Sequence, residues 1–210
     1  MRKLKLYAAL AVVVLVGLLI AWWALDLRWR PKSIDKHQAE IARILETSGW
    51  VSPPGMGEKK LYMISFRSCT DCLRFEKEAF PKLHREKVDT RVIVMARRDD
   101  NGIERSTPVE RATVAQLWIT RSWPLFEAWH SMAHEAWQAP GIPPADGDMA
   151  RTAVVEAGRK MVDDLTPLLK DNGIDFYYPL LIWWTKDGEM HGCACEKPQA
   201  YRRVLRELGV

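Results

Sequence analysis

Apolar positions change their spacing several times along the chain, and each change marks an element. Residues Leu6 to Leu25 carry no charge, and roughly twenty such residues are enough to cross a bilayer as a helix. After them, "PKSIDKHQAEIARILETSGW" sets Ile34, Ile41 and Leu45 on one side of a helix, with Ser33 as its N-cap. The following "VSPPGMGEKK" has the Pro and Gly content of a linker. A compact domain is expected from Lys59 onward.

Within that domain "KKLYMISF" predicts a strand, "CTDCLRFEKEAF" a helix ended or kinked at Pro81, and "TRVIVMARR" a second strand. Three helices follow. The first, "STPVERATVAQLWIT", has Thr107 as N-cap, Pro108 at the first helical position and Glu110 completing a capping box. The second starts at Ser122 in "SWPLFEAWHSMAHEAW", and the third covers about Asp148 to Lys170. The closing "FYYPLLIWWTKDGEMHGCAC" predicts two strands turning at Asp187-Gly188, and "KPQAYRRVLRELG" a last helix with Gly209 as its C-terminal cap.

With 210 residues, 48% of them hydrophobic and 28% charged, the chain can bury a core without help from disulfides. Its four cysteines are therefore not needed as a folding framework. The net charge of +4 comes from basic residues interspersed with acids, which excludes a nucleic-acid-binding stripe. Arg2, Lys3 and Lys5 precede the apolar run, and bulky Trp22 and Trp23 stand where a signal-peptide cleavage site needs small residues. An uncleaved anchor is the expectation, with the remaining chain exported to a compartment where disulfides persist.

Cys69 and Cys72 stand where the first domain strand gives way to helix. That position suits a redox centre, because free amides and the dipole of a helix start favour a thiolate. A metal pair and a buried structural pair are the alternatives. In the redox reading Cys69 attacks and Cys72 resolves the mixed disulfide. Arg67 and Arg74 can add positive charge, and Asp71 opposes it.

Cys193 and Cys195 form a second pair. A two-residue turn at Asp187-Gly188 would set Cys193 opposite Ile182 and Cys195 opposite Leu180, at the Pro179 end of the sheet. In a straight strand their alpha carbons would lie roughly 6.5 Å apart, near the limit for a disulfide, so a bond requires the chain to turn. A second redox pair, a metal shared with Cys69 and Cys72, and a structural role remain open. His130 and His134 have metal-ligand spacing on a helix but no evident third ligand, and read as ordinary helix residues. His191 lies near the second pair.

The stretches "SFRSCTDC", "ATVAQLW" and "YPLLIWWTKDGEMHG", in this order and with Pro179 opening the final hairpin, carry a family resemblance. From about Lys59 to Val210 the chain resembles the thioredoxin superfamily, and within it the Dsb-type disulfide oxidoreductases of the DsbC/DsbG kind. The resemblance implies an α/β, thioredoxin-like fold with a helical insertion at about 103–172, here preceded by an N-terminal transmembrane helix. The domains would be an anchor (1–26), a juxtamembrane helix and linker (27–58), and the thioredoxin-like domain (59–210). Cys69, Cys72 and a cis Pro179 would be catalytic, and Tyr178, Thr70 and Asp71 would contact substrate.

The implied activity is thiol-disulfide exchange with protein substrates, without a cofactor or metal. The setting would be a single-pass inner-membrane protein with its domain in the periplasm and a membrane electron donor or acceptor as candidate partner. Tyr178 stands where the family commonly has Thr or Val, Ser68 where thioredoxin has tryptophan, and no dimerisation domain precedes the catalytic one. The direction of electron flow is left open. Two other classes compete: a copper chaperone using thiolate ligands, and a redox-inactive scaffold of an envelope assembly.

Overall fold

The computed structural model describes residues 2–25 and 30–210. Helix α1 covers Arg2–Leu25. Its described side chains from Leu10 to Trp23 are exposed and extend over about 21 Å at ~1.5 Å per residue. Among the described residues no helix is long and apolar enough to cross a membrane. Residues 26–29, where the expected anchor ends and the juxtamembrane segment starts, lie outside the described residues.

The folded unit begins earlier than Lys59. A short strand β1 (Lys32–Ser33) and helix α2 (Gln38–Thr47) precede β2 (Lys60–Ser65), α3 (Thr70–Arg85) and β3 (Asp89–Val94). Three helices follow: α4 (Pro108–Thr120), α5 (Trp123–Ser131) and α6 (Met149–Asp171). The chain closes with β4 (Leu180–Trp184), β5 (Met190–Ala194) and α7 (Pro198–Glu207). The strands form one sheet in the order β1-β5-β4-β2-β3, with β2 and β3 parallel and the other neighbours antiparallel. This is a mixed α/β, thioredoxin-like fold with a helical insertion.

Alternation along the strands sorts side chains to the two faces of the sheet. Leu61, Met63, Leu181 and Trp183 point into a cluster completed by Phe75 and Leu83 of α3 and Tyr201 and Val204 of α7. Tyr62, Ile64, Leu180 and Ile182 point the other way, onto Ile41 and Leu45 of α2 and Leu165 and Leu169 of α6. Helices α3 and α7 thus pack on the first face, where Val114 and Leu117 of α4 and Phe126 and Trp129 of α5 join the same cluster.

Several local expectations need correcting. Ser33 does not cap α2; it lies in β1 opposite His191, and its hydroxyl bonds Asp35. The expected linker packs instead of looping free: Val51 exchanges two backbone hydrogen bonds with Val92 on the outer edge of β3. Helix α3 continues through Pro81 to Arg85. The hairpin turn has three residues, because Gly188 N–H donates to Thr185 O (3.0 Å) and Thr185 N–H to Glu189 O (2.9 Å). Gly188 takes a left-handed φ of 82°, as this turn requires.

The longer turn shifts the register by one. Cys193 faces Leu181, and Leu180 faces Ala194. A one-residue slip moves a strand's whole side-chain set to the other face, so the second cysteine pair lies on the α3 side of the sheet. All four cysteines share one apolar cluster.

Candidate active site

The parallel strand β2 delivers the chain to the start of α3, and Cys69 is the N-cap of that helix. Its backbone is extended, its N–H donates to Phe66 O (3.1 Å), and its carbonyl accepts the Leu73 N–H (3.0 Å). Its sulfur accepts the Cys72 N–H at 3.1 Å, satisfying one of the donors that every helix start leaves over. Cys69 and Cys72 are joined by a disulfide with alpha carbons 5.2 Å apart. Cys69 retains 6% exposure and Cys72 1%, so Cys69 is the more exposed of the two.

Charges around the pair are arranged asymmetrically. Arg74, one turn into α3, is ion-paired with the Asp71 carboxylate, so the charge expected to oppose thiolate formation has a cation on it. Arg74 also reaches Glu196 O at 3.5 Å, beside Cys195. Arg67 turns away from the cysteines. It is buried, donates to the carbonyls of Trp129 (3.2 Å) and Met132 (2.6 Å), and ties the active-site loop to the end of α5. Burial lowers its pKa from the ordinary guanidinium value.

Tyr178-Pro179 is a cis peptide bond. Ile64 pairs with Leu180 at the end of the β2–β4 ladder, which brings Pro179 level with the chain leading to Cys69. The Tyr178 ring meets the Phe66 ring edge-on at 4.9 Å, and its hydroxyl approaches Met95 Sδ at 3.8 Å. Burial pushes that hydroxyl up to about 12. Thr70 is exposed on the first turn of α3 and Asp71 is half-buried. Cys69, Cys72, Pro179 and Tyr178 are thus gathered at one end of the sheet.

Arg97 is a site residue that the sequence reading did not single out. Its guanidinium stacks 4.1 Å above Phe66 and donates to Ser68 Oγ (3.2 Å) and Arg105 O (3.4 Å). A signal existed, since "VIVMARR" ends a parallel strand and such strand ends line functional crevices. Glu76, one turn beyond Cys72, binds His130 Nδ1 at 2.7 Å and holds α5 against α3.

Other sequence candidates fall elsewhere. α5 ends at Ser131, so His130 and His134 do not share a helix; His134 begins a short 3-10 turn and bonds Glu110 at 2.6 Å. His191 Nδ1 is 2.7 Å from Glu207. Among the described residues no group of three or more His, Cys, Asp or Glu side chains is placed to hold a metal ion. The four cysteines are joined as two disulfides. A cleft of about 510 Å³ beside Trp184 and Lys186 lies at the hairpin-turn end, away from the cysteines.

No protein-family model matches the chain, and neither does any curated protein. Its fold is similar to that of Salmonella enterica Typhimurium BcfH, at 14% identity over 97% of this chain and 87% of that one, with a TM-score of 0.46. It is also similar to a linker-deletion mutant of Proteus mirabilis ScsC, at 14% identity over 98% and 94%, with a TM-score of 0.45. MdbA, a thiol-disulfide oxidoreductase from Corynebacterium diphtheriae, matches at 17% identity over 66% and 78%, with a TM-score of 0.32. Topology and site geometry together define a thioredoxin-like domain carrying a disulfide at the start of α3, the helix that follows β2.

Proposed function

We propose that the chain is a membrane-anchored, extracytoplasmic thiol-disulfide oxidoreductase acting on protein thiols and disulfides through Cys69 and Cys72. The observation that carries this reading is the Cys69 sulfur capping α3, more exposed than Cys72 and gathered with Pro179 at one end of the sheet. In the reduced protein the helix-start amides stabilise a Cys69 thiolate. That thiolate attacks a substrate disulfide, forming the Cys69–substrate bond and releasing one substrate thiolate. Cys72 thiolate then attacks Cys69 Sγ, restoring the Cys69–Cys72 disulfide and releasing the second substrate thiolate. The same two steps in reverse oxidise a dithiol.

In this reading Thr70 and Asp71, between the two cysteines in sequence, and Tyr178, preceding the cis Pro179, contact substrate. The uncharged run Leu6 to Leu25 in the sequence, preceded by Arg2, Lys3 and Lys5, is what supports a single-pass inner-membrane anchor with the domain in the periplasm. A membrane electron donor or acceptor would fit this setting.

One preparation tests both parts: full chain extracted from membranes with detergent, assayed for dithiothreitol-driven insulin reduction and weighed intact. Accelerated insulin reduction and a mass that includes residues 1–25 are expected. A rate equal to the uncatalysed background would remove the enzymatic reading, and a mature start near Leu25 would remove the anchor.

A further inference from the structure

The geometry points to Cys193–Cys195 as a second thiol-disulfide exchange site, with its own approach for a thiol, so that the protein holds two exchangeable electron pairs. The structure joins these cysteines with alpha carbons 5.2 Å apart, within disulfide range because the chain leaves β5 after Ala194. Such a bond does little as a staple. It spans a sequence separation of 2, and closing so short a loop removes little freedom from the unfolded chain.

The second pair repeats the asymmetry of the first. Cys193 keeps 8% exposure, whereas Cys195 has none and its N–H donates to Pro179 O at 2.9 Å. Cys193 and Ala194 line a cleft of about 190 Å³ at the β5 edge, walled by Ala200, Tyr177, Asp175 and Lys32. That space admits one cysteine side chain or a small thiol. Arg74 of α3 pairs with Asp71, which lies between Cys69 and Cys72 in sequence, and donates to the carbonyl of Glu196, which follows Cys195.

The exchange balances as follows. A thiolate in the cleft attacks Cys193 Sγ, breaking the Cys193–Cys195 bond and forming a mixed disulfide, and Cys195 leaves as a thiolate that takes up a proton. A second thiolate attacks the incoming sulfur of that mixed disulfide. It carries the incoming group away as a disulfide and leaves Cys193 reduced, so two thiols are oxidised and one protein disulfide is reduced. This site extends the chemistry proposed for Cys69–Cys72, and the test reads the two pairs separately.

The folded full chain is titrated with dithiothreitol without denaturant, alkylated, and mapped peptide by peptide. Both pairs are expected to become alkylated, Cys193 and Cys195 together. A Cys193–Cys195 pair that stays closed until urea unfolds the chain would overturn the inference, whereas failure of Cys69–Cys72 alone would overturn the primary reading. In the folded Cys195→Ser variant, Cys193 is expected to form a mixed disulfide within about tenfold of the rate of Cys69 in Cys72→Ser. Reaction only on denaturation contradicts the proposal. Glutathione disulfide and an oxidised cysteine-containing peptide, used in parallel, distinguish a small thiol from a protein side chain as the natural occupant.

Discussion

At the level of single residues, the site is set by a few polar contacts around one sulfur. C-x-x-C at a strand-to-helix junction is a local signal, so Cys69 and Cys72 were legible in the sequence. Arg97 was not, because its place beside Ser68 and Phe66 depends on which strand ends lie next to each other. The Asp71–Arg74 pair is partly exposed, so its effect is modest. Replacing Arg74 with alanine leaves the Asp71 carboxylate, on the turn between the two cysteines, without its cation. We expect iodoacetamide alkylation of Cys69 in the reduced protein at pH 7 to slow about threefold. An unchanged or faster rate would show that this ion pair does not govern the thiolate.

Among elements, periodicity identified the core strands and the long helices, and the capping box at Thr107 is present with both of its hydrogen bonds. The turn at Asp187-Gly188 was misread because Asp-Gly suits both a two-residue and a three-residue hairpin. The register is decided by which face buries the cysteines with Leu181 and Trp183, a tertiary matter. The docking of the helical insertion was equally illegible. Trp118 of α4 donates to Val94 O at 2.8 Å, and its ring passes between Gly49 and Gly158, so two glycines distant in sequence make its slot. A Cβ on Gly49 would lie 2.2 Å from Trp118 Cγ. Gly49→Ala should therefore destabilise the fold by about 2–3 kcal/mol, read from urea unfolding; a loss below ~0.5 kcal/mol would mean that the slot adjusts freely.

For the molecule as a whole, buried tyrosines tie stability to alkaline pH. Burial pushes Tyr178 up to about 12, and burial with the Glu78 contact does the same for Tyr201. Tyr62 is raised as well, chiefly by burial. These groups stay protonated in the folded chain when the unfolded chain ionises near pH ~10. Their contribution is fully present below about pH 10 and is lost as the pH rises through about 12. Urea midpoints should accordingly hold steady up to about pH 10 and then fall, and Tyr178→Phe should reduce the fall. A steady midpoint to pH 12 would contradict this.

The central claim is that Cys69 attacks and Cys72 resolves, and disulfide trapping tests it most directly. Full chain carrying Cys72→Ser is reduced, incubated with an envelope extract, acid-quenched, and resolved without reductant beside Cys69→Ser. The account predicts a ladder of mixed disulfides through Cys69 in Cys72→Ser and none through the remaining Cys72 in Cys69→Ser. Equal trapping by the two variants, or adducts on Cys72 alone, would contradict it.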